Sequence, residues 1–168
     1  STGSYNMMLG YRSGRNITTG SRNIMVGYGA GLIGTTGDDN TYIGQFAGAL
    51  GTTATDNVFI GSRSGYSNTI GQRNVAIGKD AGRNLSNSFY NSFIGYRAGY
   101  ANTTGASNSF IGYGSGINTT QGSNNTFVGR LAGQTNIGGS SNTYIGSNSN
   151  GTPGLMNATA IGANVMAT

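Results

Sequence analysis

The sequence has no cysteine and no histidine, and only 8% of its 168 residues are charged. These absences exclude a disulfide scaffold, the usual zinc sites, the Ser-His-Asp triad and the Cys-His pair. Proline occurs once, at Pro153, and the 32 glycines do not recur every third residue, which excludes collagen. No apolar run approaches the ~18 residues of a membrane span. We therefore expect a protein that is not an enzyme, with no cofactor and no inserted membrane segment.

Positive charge exceeds negative charge modestly, with nine Lys and Arg against four Asp and Glu, a net of +5. The charges are separated along the chain, whereas nucleic-acid binding usually shows a dense basic stripe, so no nucleic acid is expected. Aromatic residues make up 10% of the chain, which argues against disorder. Because there is neither a starting Met nor a signal peptide, we interpret the chain as an excised fragment of a longer protein.

A 17-residue repeat runs through nine coils without insertion. Each coil has an asparagine, then a large apolar residue, an aliphatic residue and a glycine. The asparagine column is Asn6, Asn23, Asn40, Asn57, Asn74, Asn91, Asn108, Asn125 and Asn142. The aromatic column, named for most of its members, is Met8, Met25, Tyr42, Phe59, Ala76, Phe93, Phe110, Phe127 and Tyr144. The aliphatic column is Leu9, Val26, Ile43, Ile60, Ile77, Ile94, Ile111, Val128 and Ile145.

Two glycine columns and a column of Ser or Ala complete the pattern. The first glycine column runs from Gly10 to Gly146, and the second from Gly14 to Gly133. Such regularity predicts an all-β protein, a parallel β-solenoid of 17-residue coils in which identical side chains stack one coil apart. The asparagine amides are expected to hydrogen-bond to their neighbours in adjacent coils.

Two regions are expected along the chain. Residues 1–149 form the nine-coil β-roll repeat domain, and residues 150–168 form a shortened terminal coil leading to a missing downstream domain. The step from Gly146 to Gly162 is shorter by one position than the other steps of its column, and it contains Pro153. The regularity should therefore fail near residues 150–157.

The aromatic and aliphatic columns are adjacent, so in a strand they point to opposite faces. One column would face the interior of a lone solenoid and the other would face water, where a Phe ladder is a larger apolar strip than monomers usually expose. We expect self-association along the fibre axis to bury both columns, and Phe110→Asp to disrupt the assembly. The alternative is a flattened coil whose glycine bends bring both columns inside.

Several segments resemble a known family. Asn91–Gly99, Asn108–Gly116 and the closing Asn157–Val165 are similar to the coils of β-roll heads in trimeric autotransporter adhesins. They also resemble repeats of bacterial and phage tail-fibre-like proteins that end in a self-cleaving chaperone domain. The resemblance implies a left-handed β-roll homotrimer, exposed at the cell surface or on a virion tail fibre. The head repeats of that family are usually shorter than the coils of this chain, so no binding residue is transferred from it.

The columns after the glycines vary from coil to coil and are rich in tyrosine and arginine, which is typical of a solvent-facing edge. Tyr offers a rigid ring for stacking on sugars, and Arg binds phosphate or carboxylate. The candidate ligand-binding residues are Tyr11, Arg12, Arg15, Tyr96, Arg97, Tyr100 and Tyr113. The expected partner is an anionic polysaccharide or lipopolysaccharide, bound by an extracellular adhesin or fibre segment. Alternatively, the tyrosine rings lie along the trimer seam, the arginine side chains keep the fibre soluble, and the chain is a structural spacer.

Three other patterns have a structural as well as a functional interpretation. Threonines recur in register at Thr18, Thr35, Thr52, Thr69, Thr103 and Thr120. Such a column could bind ice, as in ice-binding solenoids, but threonine is also a common strand residue. Asp38, Asp39 and Asp56 fall where a turn is expected, and no calcium-binding β-roll pattern surrounds them. Ser88-Phe89-Tyr90 interrupts the fifth coil, either as an apolar clasp between subunits or as a protruding contact patch.

Overall fold

The computed structural model describes residues 2–168 and is an all-β parallel solenoid. Twelve short strands occur in this part of the chain: β1 Met7–Leu9, β2 Ile24–Val26, β3 Thr41–Ile43, β4 Val58–Ile60, β5 Val75–Ile77, β6 Ser92–Ile94, β7 Ser109–Ile111, β8 Thr126–Val128, β9 Thr143–Ile145, β10 Asn150–Gly151, β11 Thr159–Ile161 and β12 Met166–Ala167. Ten of them form one parallel sheet in chain order, and β10 pairs with β12 in a second, two-stranded sheet. The predicted fold class and coil length are confirmed.

The strands pair in a register that repeats the sequence period. Phe93 lies opposite Phe110, and Phe110 opposite Phe127, each one full repeat further on. Each strand of the regular coils contributes three residues, with an asparagine immediately before it and a glycine immediately after it. Every side chain in the sheet therefore meets its own column in the coils above and below.

The asparagine column forms a buried ladder of hydrogen bonds along the sheet. The Nδ2 of Asn108 donates to Asn91 Oδ1 at 3.1 Å and to the carbonyl oxygen of Gly122 at 2.8 Å. Asn108 Oδ1 in turn accepts from the backbone N–H and the Nδ2 of Asn125, at 3.0 and 3.1 Å. The same pattern joins Asn23 to Asn40, and it confirms the expected bonding between coils. Buried polar atoms in this column are thus satisfied by one another.

The aromatic column points into the solenoid and forms its core. Phe110 is fully buried, and its ring centroid lies 5.0 Å from that of Phe93 and 4.7 Å from that of Phe127. These spacings match the separation of neighbouring strands, about 4.8 Å, so the rings stack as the backbone stacks. The second glycine column lies beneath these rings: a Cβ at Gly116, where φ is 59°, would collide with the Phe110 ring.

The expectation that the aromatic column needs a partner chain is therefore wrong, because each coil closes around its own ring. The aliphatic column is the one on the outer face, with Ile111 43% exposed and Leu9 66% exposed. The flattened coil with both columns inside is also wrong. Phe110→Asp would place a charge in the core of a single chain, so it would act on the fold before it acted on any assembly.

The fifth coil shows how the core tolerates a change of volume. Ala76 replaces the aromatic residue there, and Leu85 from the same coil is fully buried in the core cluster. A Cβ at Gly82 would lie 2.8 Å from Leu85 Cδ1, where other coils have the aromatic ring. Leu85 thus fills the space that Ala76 leaves.

Each coil returns to the next strand without a second long sheet. Between the strands of the ten-stranded sheet, the described residues before β10 form no further strand, only the isolated bridge between Gln72 and Phe89. Backbone hydrogen bonds still join the coils there, as from Thr18 N to Thr35 O at 3.0 Å. The last coil is shorter, since Ile161 pairs with Ile145 one position short of a full repeat, and β10 starts where irregularity was expected.

Removing one rung of the asparagine ladder should destabilise the solenoid strongly. We expect Asn108→Ala to lower the free energy of unfolding in urea by about 3 kcal/mol, because buried donors and acceptors on both sides lose their partners. The matched control is Ser109→Ala, the next residue but on the outer face, which should change it by less than about 0.5 kcal/mol. Equal effects of the two variants would contradict the ladder's role.

The fifth coil also provides a test of core packing. Phe110→Ala should lower the free energy of unfolding by about 3–5 kcal/mol, because it leaves a cavity between two rings. Adding Thr119→Leu reproduces the Ala76 and Leu85 pair in the seventh coil, but it also removes the buried hydrogen bond from Thr119 Oγ1 to the Asn136 carbonyl oxygen at 2.9 Å. With Thr119→Leu alone measured to account for that loss, the leucine should recover at least about 1 kcal/mol of the Phe110→Ala deficit. A double variant no more stable than the two single variants together predict, in the same urea titration, would show that Leu85 does not compensate for Ala76.

Candidate functional site: the Tyr/Arg face

Three variable columns line the corner that follows each strand, and we call their surface the Tyr/Arg face. They are the two residues after the first glycine column and the residue after the second. Six of the ten tyrosines belong to this face, all exposed or half-buried: Tyr11, Tyr28, Tyr66, Tyr96, Tyr100 and Tyr113. The middle of the three columns is left-handed in each of the nine coils, for example with φ 60° at Arg12 and 54° at Arg97. This repeated turn shapes the corner.

The first predicted group, Tyr11, Arg12 and Arg15, is exposed on coil one. Tyr11 stacks on Tyr28 with ring centroids 5.6 Å apart, and the Arg12 guanidinium lies 5.1 Å from the Tyr11 centroid. Arg15 is exposed on the same corner but has no ion pair or ring contact within residues 2–168. The structure thus brings Tyr11 and Arg12 together and leaves Arg15 apart from them.

The second predicted group is the more compact one. Tyr96 stacks on Tyr113 at 5.3 Å. Arg97 lies between two rings, 5.3 Å from the Tyr96 centroid and 5.4 Å from the Tyr100 centroid. Arg130 in the next coil lies 5.9 Å from the Tyr113 centroid. Here all four predicted residues form one surface of rings and guanidinium groups.

Sequence reasoning missed a third group between these two. Phe46 and Tyr66 meet edge to face with centroids 6.3 Å apart, and Arg83 lies 5.9 Å from the Tyr66 centroid. Arg63 and Lys79 complete the group. Its residues occupy the same columns as the predicted ones, so the column pattern itself could have identified them.

Charge is strongly segregated within the coil. The Tyr/Arg face carries seven of the nine basic residues: Arg12, Arg15, Arg63, Lys79, Arg83, Arg97 and Arg130. Its one acidic residue is Asp80, whose side chain is only 2% exposed and lies 3.0 Å from Arg63 Nε. The face therefore has a net charge of +6, whereas the chain as a whole has +5. A surface of this kind attracts polyanions.

The corner that precedes each strand, which we call the leading corner, holds the remaining charges. Arg22 donates to both carboxylate oxygens of Asp39 at 2.7 Å, and this hydrogen bonding and charge hold the pKa of Asp39 below its usual value. Arg73 lies 3.5 Å from Asp56. Asp39 and Asp56 are left-handed, as expected for a turn. With two basic and three acidic residues, this corner is nearly neutral.

Within residues 2–168 there is no group of three His, Cys, Asp or Glu side chains placed to hold a metal ion. The same residues contain no helix long and apolar enough to cross a membrane.

The threonine column is engaged in the solenoid itself. The Oγ1 of Thr35 donates to the carbonyl oxygen of Thr52 at 2.9 Å, and that of Thr103 to Thr120 at 3.1 Å. Thr18, Thr52, Thr69 and Thr120 bond to the next coil in the same way. The hydroxyl protons therefore join neighbouring coils and are not directed to solvent.

The outer face of the ten-stranded sheet is an apolar surface without charge, which we call the aliphatic stripe. It consists of the aliphatic column with Ile161, and it is 37–43% exposed at Ile43, Ile94 and Ile111. The neighbouring outward column starts with apolar residues at Met7 and Ile24 and continues mostly with serine, threonine and valine. Monomers rarely expose continuous apolar patches of more than a few hundred Å².

Comparison with known proteins adds no assignment: no family model, no curated protein and no solved structure matches this chain.

Proposed function

We propose that this chain is a segment of an extracellular fibre or adhesin, and that its Tyr/Arg face attaches the fibre to an anionic surface polysaccharide or lipopolysaccharide. The observation that carries the proposal is the concentration of charge and rings on one corner. Seven basic residues and six tyrosines share a face with one buried acid, while the leading corner is nearly neutral. The extracellular location and the fibre rest on the resemblance to β-roll repeats of adhesins and tail fibres.

The spacing of the groups suits a polymeric ligand. Tyr11 and Tyr96 are five coils apart, which corresponds to about 24 Å along the rod at about 4.8 Å per coil. A polysaccharide chain lying along the face would contact several groups together. Individually weak contacts then give firm attachment, because the second contact forms at a high effective concentration.

A structural spacer is the main alternative, and it is favoured by the stacking within the face. Arg97 packs between Tyr96 and Tyr100, contacts that would also keep a stalk soluble and rigid. An ice-binding solenoid is less favoured. The threonine hydroxyls that would order water already donate to backbone carbonyls, and the column contains Ile137.

Assembly into a homotrimer is the second part of the proposal. The aliphatic stripe is uncharged and presents one aliphatic residue per coil, so it fits identical stripes of other copies around an axis parallel to the rod. Burying it would remove the largest apolar surface of the sheet from water. The +6 face would stay outward, since three such faces repel one another.

The attachment prediction uses a pair of residues in the second group. Arg97→Ala with Tyr113→Ala should weaken binding to an acidic polysaccharide such as polygalacturonate by about tenfold, because a cation and a stacked ring are lost together. Binding of the unaltered protein should also weaken as salt is added. Surface plasmon resonance on immobilised polymer measures both effects.

The leading corner provides a matched control. Arg73 lies 5.5 Å from the Tyr90 ring centroid, so Arg73→Ala with Tyr90→Ala also removes one arginine and one stacked tyrosine. This control should leave the affinity within about twofold. Equal weakening by both pairs would show that net charge, not the Tyr/Arg face, governs binding. Dissociation of the assembly by the Arg97 and Tyr113 pair would place these residues in the subunit seam.

The assembly prediction uses the aliphatic stripe. Ile94→Lys with Ile111→Lys should convert the trimer to monomers at micromolar concentration, because charges in the seam lose their water and repel. Both side chains are partly exposed in one chain, so the solenoid should still fold. Ile70→Lys with Ile137→Lys alters two similarly exposed isoleucines off the stripe and should leave the trimer intact. Sedimentation equilibrium measures the molar mass of each variant in solution. A monomeric mass for the unaltered protein would refute the trimer.

A further inference from the structure

A cleft of about 440 Å³ opens on the Tyr/Arg face at the third group. Gln45, Phe46, Ser62, Arg63, Tyr66, Lys79 and Arg83 line it. None of these residues belongs to the two groups predicted from sequence. The volume lies in the range of pockets that hold small ligands, about 300–1,000 Å³.

Differences in side-chain size create the cleft. Ser62 is a small residue between Gln45 and Lys79 in its column, so a gap is left in the middle coil. Phe46 and Tyr66 line the cleft together on one coil and the next. Phe46 has φ 56°, a conformation that costs a bulky residue free energy. The same position is glycine in two other coils, at Gly29 and Gly114, so the fold of the coil does not depend on an aromatic ring there.

A buried acid positions the cations of the cleft. Asp80 is 1% exposed, and its Oδ1 lies 3.0 Å from Arg63 Nε and 3.8 Å from Arg83 Nε. Arg83 is also held by its Nη1, which donates to Tyr100 OH at 2.9 Å. Lys79 is exposed and has no ion pair within residues 2–168. Three cations over one buried carboxylate leave the cleft with a net charge of +2.

We propose that this cleft is a specific subsite for one anionic sugar residue of a polysaccharide. The sugar ring stacks on Phe46, while the Tyr66 ring, at 83° to it, forms a side wall of the cleft. The anionic group of the sugar, a carboxylate or a sulfate ester, pairs with Lys79 and the arginines. Asp80 is a positioning residue that holds Arg63 and Arg83 and does not contact the ligand. The subsite rests on the proposed attachment function, and it differs from the rest of the face in being an open cleft with room for one residue of the polymer.

Short ligands test the cleft separately from the whole face. Trigalacturonate tests the carboxylate source, with its methyl ester as the neutral match, and sulfated lactose tests the sulfate source against plain lactose. In an NMR titration of the folded protein, the acidic probe should shift the backbone amides of Ser62 and Lys79 most. The neutral match should bind at least about fivefold more weakly.

Three substitutions distinguish binding in the cleft from attraction by the positive charge of the whole Tyr/Arg face. Each one introduces a residue type that already occurs in the same column of the repeat. Phe46→Gly removes the ring without changing charge, and it adopts the residue of Gly29 and Gly114. Lys79→Gln removes one charge inside the cleft, and Gln45 shows that its column accepts glutamine. Arg130→Gln removes one charge from the same column three coils away. We expect the first two to weaken the acidic probe about fivefold, and Arg130→Gln less than about twofold.

The outcomes separate this proposal from the broader one. Polymer binding that persists with no acidic-probe shifts at Ser62 or Lys79 refutes the cleft and leaves the attachment function in place. The cleft is also refuted if Lys79→Gln and Arg130→Gln lower the affinity for the acidic probe equally and Phe46→Gly does not change it. The probe would then be attracted only by the overall positive charge of the Tyr/Arg face. If the unaltered protein binds no acidic polymer and neither probe, both proposals fail. Circular dichroism confirms that each variant is folded.

Discussion

The hydrogen bond between asparagine side chains one coil apart is the interaction on which the solenoid depends. It aligns the asparagine amides of successive coils, and it continues into the shorter last coil, where Ala158 N donates to Asn142 Oδ1 at 2.9 Å. Asn108 alone joins three coils, through Asn91, Gly122 and Asn125. The aromatic rings stack at the same interval, and the second glycine column gives them room. Thus the buried columns of the regular coils all follow the same 17-residue repeat.

The same constraint separates structural from variable positions. Columns that face the interior have neighbours above and below that restrict them, whereas the Tyr/Arg face contacts solvent and can differ from coil to coil. The face therefore carries tyrosine, arginine, lysine, glycine or phenylalanine without loss of the fold. Variation on this solvent-facing corner allows a rod of similar coils to present local groups, including the cleft around Phe46 and Tyr66. The repeat also sets the spacing between these groups along the rod, which favours a polymeric ligand.

Much of the fold could be predicted from the sequence, because in a solenoid the neighbours of each residue are its own column. Comparing each residue with its column predicted the coil length, the asparagine ladder, the shortened last coil and the turns at the aspartates. The orientation of the columns was not. Adjacent aromatic and aliphatic residues must face opposite sides, but the pattern does not say which side is inside, and closure of the coil around Phe110 decides it. The compensation of Ala76 by Leu85 was missed because the two residues lie in different columns.

The candidate site was predicted in part for the same reason. Residues that stack within a column or an adjacent one, such as Tyr96 and Tyr113, were found from the period alone. The cleft depends on side-chain volumes across three coils and on the burial of Asp80 beneath two arginines, neither of which the period reveals. The segregation of charge was also overlooked, since a net +5 conceals a face of +6.

The measurement that tests the central claim most directly is a glycan array probed with the folded protein at low and at physiological salt. The array needs acidic glycans paired with neutral ones of the same backbone. If the Tyr/Arg face attaches the fibre, the acidic members should be retained over their neutral partners, and the retention should fall as salt rises. Equal binding of acidic and neutral members, or no binding at either salt concentration, would contradict an attachment function and leave the chain as a spacer.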